Sequence, residues 1–172
     1  MFTRRAVFST ASMVALAACA GQTAAQVSAQ IVTDLNNAVT ALGNVVPALA
    51  KADPKLIPAA VQTQILAYAA QAQGVLASVS TSMTATAAAP ALQQAEADLN
   101  AILDALAAVP LIPPPYAEII AAAAVAAPMI EGYIATLIGP TPKAATAPTQ
   151  LALRYGVMTL PQAEAVLARA AK

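Results

Sequence analysis

VSAQIVTDLNNAVTALGNVVPAL, residues Val27 to Leu49, decides the fold. Its apolar residues Val27, Ile31, Leu35, Val39, Leu42, Val46 and Leu49 recur at spacings of three or four, while Gln26, Gln30, Asp34 and Asn37 fall on other faces. A strand half-buried in a sheet alternates with period two. A period near 3.6 instead lays one narrow apolar seam along a helix, and such a seam needs a partner surface. Gly43, Asn44 and Pro47 predict the end of this helix, and KADPKLIP, Lys51 to Pro58, predicts a turn before the next.

The same period returns three times further along. Ile57, Val61, Ile65, Tyr68, Ala72, Val75 and Val79 predict a second helix, which fades into SVSTSMTAT, Ser78 to Thr86, where hydroxyls compete for backbone hydrogen bonds. Leu92, Ala95, Leu99, Ile102, Leu106 and Val109 predict a third, with Pro90 in its first turn, where a missing N–H costs little. PLIPPP, Pro110 to Pro115, forbids helix and predicts an extended polyproline-like connection. A fourth helix is expected from Tyr116 to about Leu137, rich in alanine at Ala121 to Ala127 and bent near Pro128. GPTPKAATAPT, Gly139 to Thr149, reads as a loop before two short helices, the first capped by Gly156 and the second opened by a capping box of Thr159 and Gln162.

Short connections leave consecutive helices as neighbours. The expected fold is therefore all-α: an antiparallel bundle of about four long Ala-rich helices over residues 25–138, with a loop and C-terminal helical hairpin over 139–172 lying across one end. Two extended hairpins that complete their cores by self-association are the alternative. No internal repeat marks a solenoid.

Composition supports helices. Both phenylalanines, Phe2 and Phe8, lie in the first ten residues, and the rest of the chain has no Phe, Trp or His, leaving Tyr68, Tyr116, Tyr133 and Tyr155 as its aromatics. A core of Ala, Leu, Ile and Val suits closely approaching helices better than a sheet, where aromatic and β-branched residues are favoured.

The N-terminus carries a different message. MFTRR supplies Arg4 and Arg5, and the thirteen residues that follow, AVFSTASMVALAA, hold no charge and end in small side chains before Cys19. That is the layout of a secretory signal, too short for a permanent span of about 20 residues. Leu16, Ala17, Ala18 and Cys19 resemble the lipobox of bacterial lipoproteins. The resemblance covers about the first twenty residues, and it implies cleavage between Ala18 and Cys19 with a diacylglyceryl group on the Cys19 thiol. Residues 1–18 are then the signal peptide and 19–24 a lipidated N-terminus and tether. Two or more acyl chains hold stably in a bilayer at about 0.8 kcal/mol per buried CH₂. The competing reading is an ordinary signal peptide cut after Ala24 or Ala25. TRRAVF also resembles a twin-arginine export signal, from which Val7 before Phe8 departs.

Removing residues 1–18 leaves 154 residues, one domain by size, with six basic residues against eight acids and a net charge of −2. No basic patch stands out, which argues against nucleic acid as a partner. Once Cys19 is lipidated no thiol remains for a disulfide or a thiolate metal site.

Ile119 to Ile138 tests for a membrane span. Its seven Ile, Leu and Val residues contribute roughly −3.5 kcal/mol to insertion, and one central charge costs about +3. Glu131, Pro128 and Gly132 cancel the gain, so a buried bundle helix with Glu131 towards solvent is expected.

The candidate chemistry is thin. Glu96, Asn100 and Asp104 share one helix face, but eight residues separate the carboxylates by about 12 Å, beyond the roughly 5 to 9.5 Å of glycosidase pairs, and a solvated face is expected. Ser78, Ser80 and Ser82 lack a histidine base, and nothing positions Lys51, Lys55 or Lys143 beside them. There is no Gly-rich phosphate loop, and the acids are too scattered for a carboxylate metal site. The PxxP spacing of Pro110 and Pro113 reads as a spacer more readily than as a docking motif. Arg154, Tyr155 and Gly156 are distinctive, yet a helix cap explains them.

The expectation is a non-enzymatic protein without cofactor or metal, anchored to the bacterial cell envelope through Cys19 and facing the periplasm. Its membrane contact is the lipid, its other partner an envelope protein or a second copy. Ala20 in place of Asp after the lipidated cysteine implies sorting to the outer rather than the inner membrane. Two alternatives stand beside this one: a binder of an apolar ligand among the alanines, and a membrane-active, phage-type lysis or pore component using Ile119 to Ile138.

Overall fold

The computed structural model describes residues 24–79, 83–138, 146–156 and 158–172. These residues form six helices packed against one another, with no strand among them.

The first helix, α1 (Ala24–Ala52), buries Ile31, Leu35, Val39, Leu42, Val46 and Leu49 of the stripe that the sequence predicts; the side chain of Val27, its first member, lies outside the described ones. It does not stop near Gly43 and Pro47 as expected, but continues to Ala52. An interior proline costs about 3 kcal/mol. Val45, Val46 and Leu49 are each at most 2% exposed, and burying such side chains contributes about 1.5–3 kcal/mol apiece. Burial therefore outweighs the proline.

Pro58 precedes α2 (Ala59–Ala77), which buries Ile65, Ala69, Ala72 and Leu76. It lies along α1 with sequence running the other way: Gln73 Nε2 donates to Thr40 Oγ1 at 3.0 Å, and a Cβ at Gly43 would come 3.7 Å from that of Ala69. The hydroxyl cluster ends α2, as predicted, with the Ser78 hydroxyl donating to the Val75 carbonyl. Thr84 then caps α3 (Ala85–Ala107) by accepting from the Ala87 N–H at 3.3 Å. Pro90 thus stands in the second turn rather than the first. Its own side chain is exposed, while Ala88, Ala89 and Leu92 around it are buried.

Residues 108–115 connect to α4 (Tyr116–Ile138), which runs unbroken through an exposed Pro128. This helix is buried on most of its sides, at Ala117, Ile120, Ala121 to Ala124, Ala126, Ala127, Ile130 and Ile134. It touches α1 and α3 within the bundle and is covered outside by α5 (Thr146–Tyr155) and α6 (Leu160–Ala170). Alanine is the residue that lets four neighbours approach one helix, which accounts for AAAAVAA without a bilayer.

The sequence predicts a tail hairpin across one end. Here α5 packs on α4 and α3, and α6 packs on α4 and α1, so the two helices take different neighbours and barely touch each other. Both predicted caps are present. Gly156 has φ +118°, a conformation glycine alone adopts readily, and its N–H donates to the Ala152 carbonyl at 3.1 Å. Gln162 Oε1 accepts from the Thr159 N–H and hydroxyl, each at 2.9 Å.

Candidate functional site

The attachment site proper, Ala18 and Cys19, lies outside the described residues, as do Ser80, Ser82 and Lys143. The candidates that the structure does place are dispersed. Ser78 spends its hydroxyl on the Val75 carbonyl, and Lys51 and Lys55 are exposed around the turn between α1 and α2. No group of three or more potential metal ligands forms among the described residues.

Glu96, Asn100 and Asp104 do not make one solvated face. Asp104 is exposed, but Glu96 is only 8% exposed and sits in the seam between α3 and α4. Glu131 does not simply point to solvent either: it is half-buried on α4 and its charge acts on Glu96. Burial first, and Glu131 second, push the Glu96 carboxyl up to about 7. A second pair spans α1 and α6. Asp34 and Glu164 line one small cleft with Asn37, Met129, Ile130 and Leu167. Burial raises Asp34 to about 6, the Glu164 charge adds to the rise, and the Gln30 amide, donating at 2.9 Å, opposes it.

Asp98 is the most enclosed acid, 3% exposed. Its Oδ1 accepts from Gln94 at 3.0 Å and its Oδ2 has no partner, so burial drives its proton affinity upward against the pull of that hydrogen bond. Spacing signals these positions in the sequence. Leu92, Glu96, Leu99 and Leu103 run at four, three and four, and so do Ala95, Asp98, Ile102 and Ala105 at three, four and three. An acid inside an apolar repeat is one at the edge of a seam.

Arg154, Tyr155 and Gly156 stand at the C-terminal end of α5. Arg154 Nη1 donates to the carbonyls of Ala107 and Val109, at 3.1 and 3.2 Å, closing the C-terminal end of α3, and its guanidinium lies 5.9 Å from the Tyr155 ring centre. In the connecting loop Ile112 is buried and Leu111 is 75% exposed.

Two concavities bear on ligand binding. The Asp34–Glu164 cleft holds about 10 Å³, room for roughly one water. A groove of about 350 Å³ runs between α2 and α3, lined by Val61, Gln64, Tyr68, Ala101, Asp104 and Ala105. It opens to solvent and not into the alanine-lined interior. Glu96 and Asp34 hold their protons up to near-neutral pH, but neither cleft gives Glu96 access to a substrate.

No family model matches the chain, and comparisons with characterised proteins and with solved structures return no significant match.

Proposed function

We propose that this chain is a lipid-anchored, non-enzymatic helical protein of the bacterial cell envelope, which faces the periplasm and works by holding a helical body at one leaflet. The observation that carries the reading is Leu16-Ala17-Ala18-Cys19 placed after thirteen uncharged residues and a pair of arginines. Residue 24 already belongs to α1, so acyl chains on Cys19 would hold this part of the helix within a few residues of the headgroups. Fixing the body to a surface raises its local concentration for any envelope protein or second copy that meets its helix faces. Ala20 favours the outer membrane.

In this reading the four long helices alternate in direction. Three juxtapositions support that topology: Thr40 with Gln73, the α2–α3 groove that sets Val61 to Tyr68 against Ala101 to Ala108, and the cleft that sets Asp34 and Asn37 against Ala126 to Ile130. The apolar-ligand alternative rests on the α2–α3 groove alone. For the pore alternative, no helix among the described residues is long and apolar enough to cross a membrane.

Intact mass of membrane-extracted protein tests the anchor. A chain beginning at Cys19 with the added mass of a diacylglyceryl group is expected; an unmodified thiol or another first residue ends the proposal. Carbonate extraction of Cys19→Ser separates anchoring from spanning, since release into the soluble fraction is expected and retention would favour a pore.

A further inference from the structure

Two pairs of acids meet across helix seams, and they differ in what holds each seam shut. Glu96 meets Glu131 between α3 and α4, two helices of 23 residues each. Asp34 meets Glu164 where α6, a helix of 11 residues, lies on α1 and α4. Apolar contact grows with the length of helix that makes it, so the second seam is the one that a pair of charges can open by itself.

The hold of α6 on the body is short. Its buried side chains are Ala163, Val166 and Leu167, and Asn44 Nδ2 of α1 donates to its Ala170 carbonyl at 3.0 Å. Its own cation adds nothing across the seam, because Arg169 Nε donates to the Ala165 carbonyl of the same helix.

Among the described residues no cation faces Asp34. On α1 itself stand Gln30, whose amide donates to it at 2.9 Å, and Asn37 on the wall of the cleft. From α6 comes Glu164, the one charge that acts on Asp34. From α4 come Ala126, Met129 and Ile130, while Glu131 of that helix acts on Glu96 instead. No residue of α2 is charged and its Tyr68 lines the groove towards α3, and none of the acids of α3, Glu96, Asp98 and Asp104, acts on Asp34. Two carboxyl groups in a cleft with room for roughly one water ionise together only at a cost, and no opposite charge offsets it.

We propose that α6 is a proton-dependent latch: with Asp34 protonated it closes on α1 and α4, and with Asp34 and Glu164 both ionised it opens. Opening uncovers Ile130 of α4 and Leu167 of α6, each 2% exposed when the latch is closed. The device belongs to the folded body and does not depend on any lipid on Cys19.

Its sign follows from the cleft. Because α6 forms one wall, its departure returns Asp34 to water and takes Glu164 away. The closed state therefore binds the Asp34 proton more tightly, up to about 6 against an ordinary 3.8, and closing loses its advantage as pH rises through about 6. Both acids are half-buried, so screening holds the effect to about fivefold in the opening equilibrium between about pH 4.5 and about pH 7.5.

Hydrogen exchange of the full chain carrying Cys19→Ser tests the latch, with each amide's rate divided by its unstructured rate at the same pH. Protection in α6 is expected to fall about fivefold between those two pH values, beyond any fall in α2, which does not pack against α6. Asp34→Asn keeps the shape and mimics the protonated carboxyl, so it is expected to hold the protection of α6 at the higher pH within about twofold of its acid value. Glu164→Gln removes the opposing charge and leaves the burial, so part of the fall is expected to remain. A thermal midpoint at the higher pH no lower than the parent's confirms that each variant folds. No fall in α6 beyond that in α2 overturns the proposal, because the helix then opens only with the whole body. A fall in Asp34→Asn as large as the parent's overturns it as well.

Discussion

Glu131 on α4 acts as a like charge on Glu96 of α3 across a helix seam, with Glu96 itself buried. The folded chain binds the Glu96 proton up to about pH 7, against an ordinary value of 4.5, and the Asp34 proton up to about 6, against 3.8. Both folded values are raised, so between pH 4 and 7 the folded state holds more protons than the unfolded one. Stability is thus greatest at the acid end of that window and falls as pH rises through it.

Thermal unfolding followed by circular dichroism checks the sign. The midpoint is expected to drop between pH 5 and pH 8. Glu96→Gln removes the charge and keeps the shape, so it is expected to flatten that dependence and to stabilise the protein at pH 8 by about 1–3 kcal/mol. A midpoint at pH 8 unchanged by Glu96→Gln would show that the seam admits enough water to solvate the charge.

Arg154 joins α5 to the end of α3 through two carbonyls. Charge-assisted bonds at a helix C-terminus on a largely exposed side chain contribute about 1 kcal/mol. Arg154→Ala is expected to lower the unfolding free energy from urea melts by that amount, and Arg154→Lys to recover part of it, because an ammonium supplies charge without the planar fork. Equal loss in both variants would place the contribution in the stacking on Tyr155 instead.

Two glycines respond oppositely to a methyl group. At Gly43 the added Cβ meets Ala69 at 3.7 Å, ordinary contact, and alanine is the better helix former, so Gly43→Ala is expected to stabilise by up to about 1 kcal/mol. Gly156 has open space but φ +118°, and Gly156→Ala is expected to destabilise by about 1–3 kcal/mol. Denaturant melts of the two variants, compared with the parent, would contradict this if they moved in the same direction.

Where a structural decision is local, the sequence states it. The stripe from Ile31 to Leu49, the glycine cap at Gly156 and the Thr159–Gln162 box are each settled by neighbouring residues, and each is where the pattern puts it. Pro47 and Pro90 mislead because helix propensity is a small quantity beside the burial of Val46, Leu49 and Leu92. Glu96 misleads because its i, i+4 spacing groups it with polar Asn100, whereas Leu92, Leu99 and Leu103 place it at a seam. The meeting of Asp34 with Glu164, and of Asn44 with the end of α6, depends on where the last two helices dock. No short-range pattern encodes that.

The alanine run in α4 gives the sharpest test of how this fold is held. Ala123 is fully buried in a helix that packs against α1, α3, α5 and α6 together. Interiors are as dense as organic crystals, so three added carbons have no void to occupy and must displace a neighbouring helix. Ala123→Leu is therefore expected to cost about 1–3 kcal/mol, in spite of leucine's greater hydrophobicity. α5 and α6 are the neighbours that give way, since both helices are short and bear on α4 from outside the bundle. Amide exchange in Ala123→Leu is expected to accelerate in α5 and α6 before it does in α1 and α3. Uniform acceleration across all six helices would mean that these two helices and the bundle unfold as one unit.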